Sequence, residues 1–256
     1  MKLTAALAFA AGLAGATLSA ALPARADEFT PAQKQELGAF IHDYLVQNPG
    51  VLKEAIEALD KQDKAKAAAA VQQVVSDQAG PLFNSKFQGT IGNPNGSATL
   101  VEFFDYNCHY CKGALPDIAK LVKGDPNLRL VLKDFPVLGP GSVDAAVVAS
   151  AARNQLPGDK FWAFHTKLLG MKGPIGKTEA MAVAKELGLD MAKLQKDMES
   201  ADVKAGLQEN MKLADALQIN GTPTFVVGQD LVVGAVGYDQ LKDKVDSVHK
   251  CGRAVC

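Results

Sequence analysis

The chain has 256 residues, 48% of them hydrophobic and 21% charged, which is the composition of a globular protein and not of a disordered or fibrous one. A count of 27 basic against 28 acidic residues leaves a formal charge of -1, so no basic excess exists to neutralise phosphates, and nucleic acid is excluded as an expected partner. Four cysteines are too sparse in a chain of this length to be a disulfide scaffold.

Residues 1–26 read as a secretory signal peptide. Lys2 supplies the positive start, Leu3 to Leu22 carries no charge, and Ala24-Arg25-Ala26 is a small-x-small cleavage site. The competing reading is a retained membrane anchor. Dilution of the apolar stretch by Ala and Gly, followed by that cleavage site, favours removal. The mature chain then begins at Asp27 and works in an oxidising compartment where disulfides persist.

Residues 27–79 are expected to form a helical extension. Thr30-Pro31-Ala32-Gln33 is a helix start, with Thr30 able to cap, Pro31 suited to the first helical position and Gln33 completing a capping box. Leu37, Phe40, Ile41, Tyr44 and Leu45 follow at helical spacing. Asn48-Pro49-Gly50 ends that helix and opens a second, which runs to about Gln78 before Gly80-Pro81. The apolar stripe has too few large residues for a core of its own. It must pack on the rest of the chain or on another copy, and the length of the second helix favours a homo-oligomer through 27–79.

From residue 80 the pattern changes. Leu82-Phe83 suggests a short strand, and Asn93-Pro94-Asn95-Gly96 is turn chemistry. Thr99 to Phe104 reads as a buried strand, Ala114 to Val122 as helix and Leu128 to Lys133 as a second strand. This strand-helix-strand order predicts a parallel pair. A mostly helical block follows from Val143 to Leu217. Strand signals return at Thr224 to Val227 and Leu231 to Val233, and a last helix spans Tyr238 to about His249.

Cys108-His109-Tyr110-Cys111 is a C-x-x-C placed after a strand and at the start of a helix. Free N–H groups and the positive partial charge there stabilise a thiolate on the first cysteine, and thiolates are the attacking species in disulfide exchange. Cys108 is therefore the expected exposed nucleophile, and Cys111, one turn on, the buried resolving thiol. A structural disulfide would not need this setting, and half a zinc site lacks a second tight ligand pair. Glu102 stands in an otherwise apolar strand. Desolvated there, its carboxyl is expected to have a raised pKa and to exchange a proton with Cys111; the alternative is a Glu on a solvated strand face. Thr222-Pro223 enters a strand, where a cis bond is permitted. Phe161, Trp162, Phe164 and His165 are expected in the core of the helical block, and Cys251 and Cys256 in a short tail disulfide, with a second exposed dithiol as the alternative.

Taken together, VEFFDYNCHYCK (Val101 to Lys112), KDFPVLGPGS (Lys133 to Ser142), FWAFH (Phe161 to His165) and INGTPTFVVG (Ile219 to Gly228) resemble the DsbA-type thioredoxin-fold family of periplasmic thiol–disulfide oxidoreductases. The segment Thr30 to Gln62 resembles the N-terminal extension of the ScsC, or suppressor-of-copper-sensitivity, group of that family. The resemblance implies an α/β thioredoxin-like fold over residues 80–256, with a helical insertion at about 141–217, and a periplasmic location. It implies a redox-active Cys108–Cys111 pair with no other cofactor, exported protein substrates carrying thiols or disulfides, and a membrane redox partner. It also implies that Glu102 is the buried acid beneath Cys111. Thr222 and Pro223 would then form a cis-proline loop facing the dithiol, where Thr222 backbone groups bind substrate and Pro223 blocks metal capture. Tyr110 and Thr222 look more like the family's isomerases than its oxidases. His109 is unusual at its place and either stabilises the Cys108 thiolate or is merely exposed. The readings left open are disulfide isomerase or reductase, disulfide oxidase, and a copper-tolerance protein holding Cu(I) on Cys108 and Cys111.

Overall fold

The computed structural model describes residues 29–256, and the expected leader, residues 1–26, lies outside them. The chain divides into two compact units, with the boundary between Asp60 and Lys61. Helix α1 (Pro31–Gln47) starts as its sequence dictates. The Thr30 hydroxyl accepts the Gln33 N–H at 3.3 Å, and the Gln33 side chain accepts the Thr30 N–H at 2.9 Å. Asn48 interrupts it, and helix α2 (Pro49–Asp77), about 40 Å long, follows at once. Phe40, Ile41, Tyr44, Leu52, Ile56 and Leu59 are all exposed, so the first unit does not bury its own stripe. Among the described residues no helix is long and apolar enough to cross a membrane.

The second unit is built on one sheet. Its strands are β1 (Gly89–Gly92), β2 (Ala98–Phe104), β3 (Leu128–Asp134), β4 (Thr224–Val227) and β5 (Asp230–Val233), in the order β1-β3-β2-β4-β5. The expected parallel pair is β2 with β3, Val101 opposite Val131, joined through helix α4 (His109–Gly124). The other three pairings are antiparallel. Both faces of β2 and β3 are covered, which is why these strands read as near-continuous apolar runs instead of alternating. Helices α5 (Pro140–Ala152), α6 (Asp159–Leu169), α7 (Lys177–Glu186), α8 (Met191–Met198) and α9 (Ala201–Ala216) form the insertion between β3 and β4.

One sheet face, with Leu100, Phe104, Leu130 and Phe225, packs on α4, α5, α6 and helix α10 (Tyr238–Cys251). The other face, with Val101, Phe103, Val131 and Val226, packs on Leu213 of α9, Val75 of α2 and Leu82. His249 near the end of α10 bridges the Ser97 hydroxyl and the Asp125 carboxylate, each at 2.7 Å, and ties that helix to the ends of β2 and α4. Cys251 and Cys256 are disulfide-bonded. His165 is buried among Phe104, Tyr106, Phe161 and Trp162. Its Nδ1 meets the Tyr106 hydroxyl at 3.4 Å while its Nε2 has no partner among the described residues, and burial lowers its pKa to about 3.

One local expectation is corrected, and one strand was not anticipated. Leu82-Phe83 is not a strand but part of the short helix α3 (Ala79–Phe83), because the Leu82 N–H donates to the Gln78 carbonyl and Leu82 is driven fully into the second core. Strand β1 escaped notice because only Thr90 and Ile91 in it carry a strand signal. Gly89 is needed there, since a Cβ at that position would lie 2.6 Å from the Phe161 ring.

Lys133 on β3 is fully buried, its ammonium donating to the Pro81 carbonyl at 2.6 Å, with Glu209 at 3.9 Å. Burial lowers its pKa to about 8, partly opposed by Glu209. A lysine whose folded pKa lies below its unfolded value penalises folding when charged. The penalty is complete below pH 8 and is relieved as the pH rises through 8 toward 10.5. The stability of the wild-type chain minus that of Lys133→Met, from urea titrations, is therefore expected to rise between pH 8 and 10. A flat difference would show that Lys133 is not desolvated in this way.

Candidate functional site

The carboxyl ends of β2 and β3 and the start of β4 lie at one end of the sheet, since Phe104 pairs with Asp134 and Phe103 with Thr224. The C-x-x-C is at this end. Helix α4 begins at His109, five residues before the expected Ala114, and Cys108 is its N-cap. The capping acceptor is the sulfur itself, which takes the Cys111 N–H at 3.3 Å. Where other helices use a serine or aspartate oxygen, this one places a sulfur against its free N–H groups and positive end. Both cysteines are free thiols.

The expectation that Cys108 is exposed is corrected: it is 4% exposed. The Thr222 loop is the reason, because the Cys108 thiol donates to the Thr222 carbonyl at 3.1 Å. The Thr222–Pro223 peptide bond is cis, and the Pro223 carbonyl accepts the Gly234 N–H at 2.9 Å, which ties the loop to the end of β5. His109 and Tyr110 are exposed beside the sulfur and meet edge to face, their ring centroids 5.8 Å apart.

The electrostatics separate the two thiols. The Cys111 thiol, the Thr222 side chain and the backbone N–H groups of Cys111 and Tyr110 all favour a Cys108 thiolate and bring its pKa down to about 6, against burial. Cys111 is fully buried, and burial, its hydrogen bond to Cys108 and the charge of Glu102 push its pKa well up. Glu102 on β2 is fully buried, and among the described residues neither of its oxygens has a hydrogen-bond partner. Burial, with a smaller contribution from the Cys108 charge, raises its pKa to about 8. An unpartnered carboxyl in this state is held protonated near neutral pH and, on ionising, is a base strong enough to take a thiol proton.

The structure thus brings together Glu102, Cys108, Cys111, Thr222 and Pro223. His109 and Tyr110 line the outer rim; among the described residues neither side chain makes a hydrogen bond to either sulfur, and Tyr110 acts on Cys108 through its backbone N–H. Sequence reasoning passed over Asp105, Asn107, Lys112 and Ser142. Asp105 is 2% exposed and its carboxylate receives four hydrogen bonds, from the N–H groups of Asn107, Val137 and Leu138 and from the Ser142 hydroxyl. Its signal was the same as that of Glu102, a carboxylate inside an apolar run. Among the described residues no cluster of three or more His, Cys, Asp or Glu is arranged to hold a metal ion. The two thiols alone are the donor set for a soft ion such as Cu(I).

Alkylation of Cys108 by iodoacetamide is expected to follow a single titration with a midpoint near pH 6, the rate rising with pH as the thiolate forms. Glu102→Leu should leave that alkylation nearly unchanged while slowing release of a mixed disulfide by about 10- to 100-fold. A midpoint near pH 8.5, or release at the wild-type rate, would contradict these assignments.

Residues 99–246 match the DSBA-like thioredoxin domain, and residues 33–66 match the copper resistance protein ScsC N-terminal domain. Disulfide bond formation protein D of Bacillus subtilis is 30% identical over 176 residues, which cover 63% of this chain and 77% of that protein. A thioredoxin-like oxidoreductase from Silicibacter pomeroyi is 47% identical, with a TM-score of 0.63 over 67% of this chain and 98% of that one. Proteus mirabilis ScsC in a transitional conformation is 31% identical, with a TM-score of 0.62 over 86% of this chain and 96% of that one. The Na(+)/H(+) antiporter NhaA 1 of Salinispora arenicola is 28% identical over 158 residues, and the chain spans 24% of that protein's length. With more than half of its residues matched by the domain that carries the C-x-x-C, the chain belongs to the DSBA-like thioredoxin family, with an ScsC N-terminal domain ahead of it.

Proposed function

We propose that the chain is an exported, periplasmic thiol–disulfide oxidoreductase acting on protein substrates, and that it works in the isomerase or reductase direction. The observation that carries this reading is the split between the two thiols, Cys108 held toward the thiolate at a helix N-terminus and Cys111 held protonated beside Glu102.

In this reading the Cys108 thiolate attacks one sulfur of a substrate disulfide. A Cys108–substrate disulfide forms, and the other substrate sulfur leaves as a thiolate that takes a proton from water. If a different substrate thiolate then attacks the mixed disulfide, Cys108 is released and the substrate is isomerised with no net oxidation. If Cys111 attacks instead, its proton passes to ionised Glu102, a Cys108–Cys111 disulfide forms, and the substrate is reduced by two electrons. The membrane partner must then return two electrons and two protons to the pair. The Thr222 backbone, free of the Cys108 thiol once the thiolate forms, offers strand-like pairing to the substrate peptide.

The isomerase direction is supported by the extension. Its stripe of exposed apolar residues needs a partner, and a second copy supplies both that cover and a second dithiol around one misfolded substrate. The role of residues 27–79 is accordingly self-association. A second reading, Cu(I) capture on Cys108 and Cys111, draws on the match of residues 33–66 to a copper resistance protein domain. It predicts stoichiometric Cu(I) binding that is lost in Cys108→Ser.

Reactivation of a scrambled multi-disulfide protein in a glutathione buffer tests the direction. The mature chain should restore activity at catalytic amounts and Cys108→Ser should not. Fast oxidation of a reduced substrate without reactivation would make the protein an oxidase instead. Deleting residues 27–60, which leaves Val75 and the rest of the second unit in place, should lower the solution mass to that of one short chain and weaken reactivation while exchange with small disulfides continues. An unchanged number of chains per particle would sink the self-association.

A further inference from the structure

The residues flanking the C-x-x-C carry a polar network that the exchange chemistry does not use. Asp105 closes β2 just before the dithiol turn. One carboxylate oxygen accepts the Asn107 N–H at 2.8 Å and the Ser142 hydroxyl at 2.7 Å. The other accepts the Val137 and Leu138 N–H groups at 2.8 and 3.0 Å. No lysine, arginine or histidine forms an ion pair with it among the described residues. A buried carboxylate without a cation persists only if its lone pairs are filled, and here three backbone N–H groups and a hydroxyl fill them. Asn107 extends the network, donating to the Ser142 hydroxyl at 3.0 Å and the Ile175 carbonyl at 2.8 Å, and accepting the Ile175 N–H at 2.7 Å.

The other end of these bonds is a surface feature. Val137 and Leu138 follow β3 at the dithiol end of the sheet, where the Phe135 N–H donates to the Phe104 carbonyl, and their side chains are 42% and 55% exposed. Two adjacent apolar side chains are thus left in solvent on backbone bonded to the Asp105 carboxyl, and burial in the core does not account for them. The backbone that presents them is fixed to the same residue that begins the dithiol turn.

We propose that Asp105 is a positioning residue for substrate: its carboxylate holds the Val137–Leu138 loop against the dithiol turn, and that loop seats an apolar side chain adjacent to the cysteine of an extended peptide. The proposal rests on the exchange reading above and gives its substrate a chemical class, peptides with an aliphatic residue beside the reacting cysteine. Oxidised glutathione has no such side chain and does not use the loop. Asn at position 105 keeps the shape but turns one acceptor into an NH2 group, which cannot receive an N–H.

The test compares two substrates on the intact chain: a peptide carrying one mixed-disulfide cysteine flanked by leucines, and oxidised glutathione. Asp105→Asn is expected to raise KM for the peptide about tenfold, with kcat and the glutathione rate within about twofold of wild type. Ser142→Ala, which removes one of the four donors, should raise the peptide KM by about two- to threefold, and Leu138→Ser should raise it without touching the glutathione rate. These two milder variants decide the matter if Asp105→Asn does not fold. A peptide KM within twofold of wild type in the folded variants overturns the proposal. So does a parallel loss of glutathione exchange, which would place the effect at the sulfurs. Wild-type chain inactive on both substrates would instead overturn the exchange reading itself, and this proposal with it.

Discussion

A helix N-terminus needs acceptors for its free N–H groups, and here the acceptor is the sulfur of Cys108. The rest of the site depends on that substitution of sulfur for oxygen. A thiol caps poorly and a thiolate caps well, so the demand of helix α4 for a cap is at the same time a pull toward the ionised form. The strand before it, buried on both faces, fixes where the helix starts, and the Thr222 loop from the neighbouring strand covers the sulfur. The Cys108 sulfur is consequently held toward the thiolate by the Cys111 thiol, the Thr222 side chain and two backbone N–H groups together, and is covered by the Thr222 loop.

The second constraint is desolvation. Cys111 and Glu102 are both fully buried, and neither Glu102 oxygen has a hydrogen-bond partner among the described residues; burial raises both pKa values, helped at Cys111 by its hydrogen bond to Cys108 and the charge of Glu102 and at Glu102 by the charge of Cys108. That arrangement is unfavourable for folding and useful for exchange, because a carboxyl with a pKa near 8 is closer in proton affinity to a thiol than an ordinary glutamic acid is. Lys133, equally buried on the neighbouring strand, shows the contrasting treatment: its ammonium has a backbone carbonyl at hydrogen-bond distance and fastens the helix ahead of the sheet. One buried titratable group is hydrogen-bonded to the backbone and the other is left without a partner beside the two thiols.

Much of this was legible in the residues. Polar side chains inside apolar strands announced Glu102, and the strand-to-helix placement announced the capping role of Cys108. The apolar runs of β2 and β3, with a helix between them, announced buried strands paired in parallel. The burial of Cys108 was not legible, because it depends on a loop more than 100 residues away whose approach no local pattern encodes. Asp105 carried the same signal as Glu102 but was passed over, since its distant partners are two backbone N–H groups at Val137 and Leu138 and a hydroxyl in the first turn of α5, none of which a local pattern marks. The β1 strand was hidden by its glycines, one of which exists to admit the Phe161 ring from the insertion. In each case the missing information was tertiary, a partner distant in sequence.

The central claim is that Cys108 alone meets the substrate and Cys111 resolves. Trapping tests it most directly. Cys111→Ser is incubated with a disulfide-bearing protein substrate, quenched with acid, and the covalent adduct mapped by mass spectrometry. The account predicts a mixed disulfide that accumulates on Cys108 and does not form when Cys108 is replaced by serine. An adduct mapped to Cys251 or Cys256, or one formed equally well in the absence of Cys108, would contradict it.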